Sequence, residues 1–255
     1  MKPVFRRERI IDLVRERERM AVDELAELLG SSRETIRRDL TALADRGRLR
    51  KFHGGAMLPE MYREGGFPAR LSEAVREKRA IARTAASLFK PGDTIFIDVG
   101  TTTLLFAEAL AHQNGLTIIT NGPRIGRIMA QAGSQVFVIG GEYRLDADEM
   151  VGALSAEQIA RFHASHVVLT IGGLSPNGAM DYSLDEAQVA RAMIAQARHV
   201  TIIADGSKLG RHALFQVCPL DAIDRLVVDI SPDVGLAQML AEAGVEVIIA
   251  EPAER

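Results

Sequence analysis

Along the first 46 or so residues the apolar positions recur at helical spacing: Ile10, Ile11, Leu13 and Val14, then Leu25, Ala26, Leu28 and Leu29, then Ile36, Leu40 and Leu43. That rhythm predicts three short helices, each with one apolar face. Asp23 stands where an N-cap of the second helix belongs, and Gly30 where that helix would stop. Ser31 or Ser32 caps the third, with Ser31 and Glu34 at the spacing of a capping box. After Gly47 the segment LRKFHGG reads as a small strand and turn, Gly54 and Gly55 permitting the reversal.

Three helices and a short hairpin have the outline of a winged helix-turn-helix. Residues 57–72 contain two prolines and a Gly-Gly pair without sustained periodicity, which predicts a linker between a domain over 1–56 and another over 73–255. Beyond it the pattern changes. Apolar runs rich in β-branched residues appear at 94–98, 116–120, 136–139, 167–171, 200–204, 225–229 and 245–250, separated by helical stretches such as EAVREKRAIARTAASLF and DEAQVARAMIAQA. Near-continuous apolar strands alternating with helices are what a parallel sheet covered on both faces requires, so the second domain is expected to be α/β.

Composition narrows the function classes. Of 255 residues 47% are hydrophobic and 25% charged, which excludes a mainly disordered chain. The single cysteine, Cys218, allows no internal disulfide and no multi-cysteine zinc site, so a reducing, cytoplasmic setting is expected. Arginines interrupt the apolar stretches of the N-terminus, which therefore reads as neither a signal peptide nor a membrane span. The net charge of −3 hides a division: residues 1–55 carry 14 Lys and Arg against 10 Asp and Glu, and the remainder is acidic. A basic segment ahead of an acidic body points to a nucleic-acid or membrane contact at the N-terminus.

The third helix supplies the chemistry for such a contact. With Ile36, Leu40 and Leu43 on one face, Glu34, Arg37, Arg38, Thr41 and Asp45 occupy the other, flanked by Ser32, Arg33 and Thr35. Arginine can bond a guanine edge bidentately or a phosphate singly, and a helix N-terminus fits the major groove. Arg50, Lys51 and His53 in the hairpin add cations beside it. The run VDELAELLGSSRETIRRDLTALADRGRLRKFHGGA, residues 22–56, resembles the helix-turn-helix domain of DeoR-type regulators. The likeness extends to about residue 229. It implies a transcription regulator, usually a repressor, of carbohydrate or polyol metabolism, with a recognition helix containing Arg33, Thr35, Arg37 and Arg38 and double-stranded operator DNA as partner. Within the family the general likeness is to glycerol-3-phosphate regulon repressors.

A second candidate site lies at the carboxyl ends of the predicted strands, where α/β sheets hold ligands. Asp98-Val99-Gly100-Thr101-Thr102-Thr103 follows the first run; its glycine, hydroxyls and helix N-terminus suit a phosphate. Equivalent junctions follow at Thr120-Asn121-Gly122, Gly140-Gly141, Gly172-Gly173 and Asp205-Gly206-Ser207-Lys208. The resemblance implies an effector domain like ribose-5-phosphate isomerase that answers to a phosphorylated sugar or polyol. It makes the Gly100–Thr103 loop the phosphate site, lines the pocket with Thr120, Asn121, Gly140, Gly141 and Gly172, assigns Lys208 as a cationic contact assisted by Arg144, and places Asp181, Asp185 and Glu186 near the hydroxyls. One departure counts: many members have Lys-Arg where this chain has Ala190-Arg191.

Readings with catalysis are weaker. Ser175 lacks a G-x-S-x-G elbow and reads as a turn residue, and the six histidines show no metal-ligand spacing, so no metal and no cofactor are expected. Cys218 reads as a buried apolar residue. The expected protein is a DNA-binding regulator, not an enzyme, released from its operator by a phosphorylated effector and acting as a homodimer or homotetramer, because one helix-turn-helix makes few contacts. Two alternatives stand beside it: a sugar-phosphate isomerase-like enzyme with an appended DNA-binding domain, and a plain dimerising module.

Overall fold

The computed structural model describes residues 3–17, 19–45, 48–52, 54–57 and 66–251. The chain forms two compact units, residues 1–64 and 65–255.

In the first unit α1 (Pro3–Arg17), β1 (Arg19–Ala21), α2 (Val22–Leu28) and α3 (Arg33–Ala44) precede a hairpin of β2 (Arg50–Phe52) and β3 (Gly55–Met57). The expected apolar stripes meet in one core, with Ile10, Val14, Leu25, Ile36 and Leu40 almost fully buried, except that Leu28, expected on the stripe of the second helix, is exposed. Each such side chain contributes about 1.5 to 3 kcal/mol. Strand β1 was not anticipated. It pairs antiparallel with β3, giving a three-stranded wing of order β1-β3-β2. This explains a correction at α2: because Ala21 is still paired as strand, Ala21 and not Asp23 is the N-cap, and Glu24 accepts from its amide at 2.9 Å. Gly30 ends that helix with φ +56° as expected. At α3 Ser32 is the cap, accepting from the Thr35 amide at 3.1 Å, while the Ser31 hydroxyl donates to the Leu29 carbonyl, so the capping box of Ser31 and Glu34 does not form.

The second unit opens with α4 (Phe67–Ser72), inside the stretch read as linker. Phe67 and Leu71, four residues apart, seat it on the core of this unit. Then follow α5 (Val75–Ala86), β4 (Thr94–Ile97), α6 (Thr101–Leu110), β5 (Thr117–Thr120), α7 (Pro123–Gln131), β6 (Gln135–Val138), the hairpin β7 (Glu142–Arg144) and β8 (Glu149–Val151), α8 (Ala153–Ile159) and β9 (Ala164–Leu169). The remainder is β10 (Gly173–Ser175), β11 (Gly178–Asp181), α9 (Leu184–Ala195), β12 (Ala197–Ile203), β13 (Phe215–Cys218), β14 (Arg225–Val228), α10 (Val234–Glu242) and β15 (Glu246–Ile249). All seven apolar runs expected as strands lie in one parallel sheet of order β15-β14-β12-β9-β4-β5-β6.

Alternate residues of each central strand serve opposite cores. Val167 packs with residues of α8, α9 and α10, while its neighbour Val168 packs with α5, α6 and α7. The architecture is thus α/β with helices on both faces, as the unbroken apolar runs demanded. From β4 the chain winds outward through β5 to β6, then returns to the other side of β4 as β9 and continues to β12, β14 and β15. The reversal between β4 and β9 is the position where an open α/β sheet leaves a crevice.

Candidate nucleic-acid interface and effector site

On α3 the residues expected to face DNA do face solvent. Ser32, Arg33, Arg37, Arg38 and Arg50 are exposed, and Thr35 is half-buried. Arg33 meets Asp23 at 2.7 Å and Arg38 meets Glu34 at 3.4 Å, both exposed pairs that strand a phosphate contact could replace. Lys51 of the wing donates to the Thr41 hydroxyl at 2.9 Å, which fixes the wing cation beside α3. His53 lies outside the described residues. A residue that sequence reasoning missed orients the helix. Asp39 is 2% exposed and accepts from the guanidinium groups of Arg6 at 2.5 Å and Arg7 at 2.7 Å, tying α3 to α1.

In the second unit the five expected junctions leave β12, β9, β4, β5 and β6, which are consecutive neighbours in the sheet, and parallel pairing puts all five at one edge. Gly100 sits at the reversal: a Cβ there would run into the Thr170 side chain at the end of β9. Glycine is required by that close approach. Thr101, Thr102 and Thr103 are buried in the first turn of α6. The Thr103 hydroxyl donates to the Gly100 carbonyl at 3.1 Å, so it holds the loop rather than standing ready for a ligand. No side chain caps the leading amides of this ten-residue helix.

Around that loop lie buried carboxyl groups. Asp98 is buried, and burial raises its pKa to about 8, with the charge of Glu186 adding and a hydrogen bond from the Val99 amide opposing. Glu149, which carried no sequence signal, is 2% exposed; burial and then Glu186, Asp98 and Asp181 push it well above the ordinary range, with Arg144 opposing. Asn121 donates to the Met150 carbonyl at 3.1 Å and reaches Glu149 at 3.5 Å. Arg144 bridges Asp185 at 2.5 Å and Glu142 at 3.2 Å, joining the β7–β8 hairpin to α9. The Asp181 carboxylate accepts from the Tyr182 amide at 2.6 Å. Gly140 is clamped by α8, its amide donating to Gln158 and its carbonyl accepting from Ser155. At Gly141 a Cβ would strike the Ser155 hydroxyl, and at Gly172 the Tyr182 ring.

Lys208 is 9% exposed, in a single helical turn capped by Asp205. A second cation missed by sequence reasoning accompanies it. Lys78 on α5 is 4% exposed and donates to the Arg70 carbonyl at 2.8 Å. Burial pulls its pKa below the ordinary lysine value; Asp205 opposes, and Lys208 and Arg70 add to the depression.

The remaining candidates are structural. Ser175 is fully buried and accepts from the Asn177 amide in the β10–β11 turn. Cys218 is buried, its thiol pushed up to about 11 by burial. Ala190 packs in the core under α9, and its neighbour Arg191 donates to the Gln216 carbonyl. Among the described residues no His, Cys, Asp and Glu cluster suits a metal ion, and no helix is long and apolar enough to cross a membrane.

Comparison with known proteins accounts for both units. Residues 6–61 match the DeoR-like helix-turn-helix domain, and residues 73–230 match the DeoR C terminal sensor domain. The chain belongs to the DeoR family. This DeoR-family chain is 33% identical to the HTH-type transcriptional repressor CsqR of Escherichia coli (strain K12), over 96% of its own length and 94% of the relative's. It is 32% identical to the glycerol-3-phosphate regulon repressor of the same organism, with 95% and 97% covered, and 32% identical to the lactose phosphotransferase system repressor of Staphylococcus aureus (strain N315), with 88% and 91% covered. Among solved structures, ribose 5-phosphate isomerase A from Methanocaldococcus jannaschii aligns with a TM-score of 0.39 at 16% identity, over 52% of this DeoR-family chain and 53% of that one. Sheet order and register, rather than that distant likeness, define the fold.

Proposed function

We propose that this chain is a DNA-binding transcriptional repressor of a carbohydrate or polyol utilisation operon, with residues 1–56 as the operator-binding domain and 73–255 as the effector domain. The observation that carries it is the combination, in one DeoR-family chain, of an exposed arginine face on α3 with five strand ends gathered at one crevice. The effector is a phosphorylated sugar or polyol, glycerol 3-phosphate being the first candidate. Its phosphoryl group meets the α6 amides with Lys208 and Lys78, and its hydroxyls meet Asp98, Asn121, Glu149 and Asp181. A hollow of about 460 Å³ also exists between α5 and α6, lined by Arg79, Arg83, Leu105, Glu108 and His112. It is roomier, but no strand-end amides converge on it. We place the ligand at the strand ends.

The effector acts by preferring the arrangement of a homodimer or homotetramer that no longer matches the operator half-sites. The isomerase reading is not favoured, because Ala190 occupies core where a reactive lysine would need access. The primary test is binding to DNA upstream of the chain's own gene, at fixed salt, with and without glycerol 3-phosphate and a panel of sugar phosphates. Release by one compound is expected; binding that none of them alters would defeat the effector assignment.

Two substitutions separate the two sites. Arg37→Ala or Arg38→Ala should weaken operator binding by roughly 1 to 3 kcal/mol if the side chain reads a base; unchanged affinity in both removes them from the interface. Lys208→Ala should leave operator affinity intact and shift the effector titration to higher concentration. An unmoved titration would sink its assigned role.

A further inference from the structure

The hollow between α5 and α6 has a chemistry of its own. One wall is Arg79, Ala82, Arg83 and Ala86 of α5; the other is Leu105, Glu108 and Ala109 of α6, with His112 just beyond its end. Both sets stand at i, i+3, i+4 and i+7, the spacing of a single helix face. The far faces of the same helices, with Ile81, Ala85, Phe106 and Leu110, are buried in the core. Alanine makes the floor low: Ala82 and Ala86 are buried while Arg79, Arg83, Glu108 and His112 around them are exposed, which leaves about 460 Å³.

The charges on this face serve nothing inside the fold. Among the described residues the side chains of Arg79, Arg83 and Glu108 make no ion pair and no hydrogen bond. Like charges four residues apart on a helix repel, so Arg79 and Arg83 oppose the helix that carries them until an anion comes to them. A small free anion would meet Glu108 in the same hollow. A surface that brings carboxylates to α5 and cations to α6 satisfies both walls, and this face itself carries both signs.

We propose that the α5–α6 face is where two copies of this chain meet, about a two-fold axis running along the groove, with Arg79 and Arg83 of each copy against Glu108 of the partner subunit. A two-fold contact pairs one patch with itself, so each attraction occurs twice. An axis across the groove would instead lay α5 on α5 and gather four arginines; opposite charge selects the axis along it. The inference rests on the regulator reading only for its purpose, which is to hold two helix-turn-helix units for two operator half-sites.

The test is sedimentation velocity on the full chain at low salt and without DNA, so that it reads association apart from operator and effector. The wild type should associate. Glu108→Arg and Arg83→Glu, both at exposed positions, should each weaken association roughly tenfold or more, because like charges then face each other at two places; in a tetramer the same loss appears as halving. Mixing the two variants should restore the dimer. Arg83 of one copy then meets Glu108 of the other, and the introduced arginine meets the introduced glutamate. Neither misfolding nor a repulsion confined to one chain can be repaired by mixing. A monomeric wild type, association undisturbed in both variants, or dissociated variants that stay apart when mixed overturns the proposal. The last two results leave the regulator reading standing with its copies joined elsewhere, whereas a monomeric wild type also removes the dimeric repressor.

Discussion

Asp39→Ala should destabilise the operator-binding unit by about 3 to 5 kcal/mol, the usual loss when one partner is removed from a buried ion pair. The lower end is the better expectation, because Arg7 is 30% exposed and recovers some hydration when its partner goes. Even so the loss is comparable to the whole stability of a unit this small, at about 0.05 to 0.15 kcal/mol per residue. Asp39 pairs with both Arg6 and Arg7, and it clamps the helix bearing Arg37 and Arg38 to α1. Thermal unfolding followed by hydrogen exchange should show residues of α1 and α3 losing protection at lower temperature while the seven-stranded sheet keeps its own transition. Protection of α3 equal to that of the wild type would remove Asp39 from its orienting role. Operator binding should fall with it, without any base-reading side chain having been touched.

Asp98→Asn should have the opposite sign, and only above acidic pH. The folded Asp98 keeps its proton up to about pH 8, whereas its ordinary value is 3.8. Between those values the unfolded chain binds fewer protons than the folded one, so stability falls as pH rises through that window and levels off above it. At about 1.4 kcal/mol per pH unit the penalty at pH 8 is on the order of 5 kcal/mol, and small near pH 4. Asparagine keeps the shape and cannot ionise. Urea unfolding of the sensor unit should therefore show the variant several kcal/mol more stable than wild type at pH 8.5 and close to it at pH 4.5. Equal differences at both pH values would contradict an ionisation cost. Glu149 is displaced in the same direction and remains in the variant, so some decline with pH should persist.

The sheet was legible because burial on both faces writes itself as unbroken runs such as TIFI and RLVV, and the more exposed edge strands QVFV and EVII carry the same apolar pattern. Short elements were not. β1, β7 and β10 have three residues each, too few to show a period, and α4 hides behind Gly66 and Pro68, which read as a turn. The strand-end loops were found by their glycines and threonines, but the carboxyl group beside them at Glu149 opens the three-residue strand β8, too short to show a period. Two missed residues did leave a trace. Asp39 lies three residues after Ile36 and four before Leu43, and Lys78 lies four before Ala82 and seven before Ala85, so each falls on the buried stripe of its own helix. A charge on an apolar stripe demands a partner. That rule would have flagged both.

The winding of the sheet has a consequence for synthesis of the chain. β4, β5 and β6 follow one another closely in sequence and can pair as they emerge, but the other edge of β4 waits for β9, which begins some 66 residues after β4 ends. Until then Ile95, Phe96 and Ile97 present an uncharged strand edge with open backbone donors and acceptors. Non-local parallel pairing of this kind is slow, and unpaired apolar edges recruit other nascent chains. The half-finished sensor is thus the aggregation-prone species of this protein, and its yield in a cell should depend more on translation speed and chaperone supply than on the stability of the completed fold.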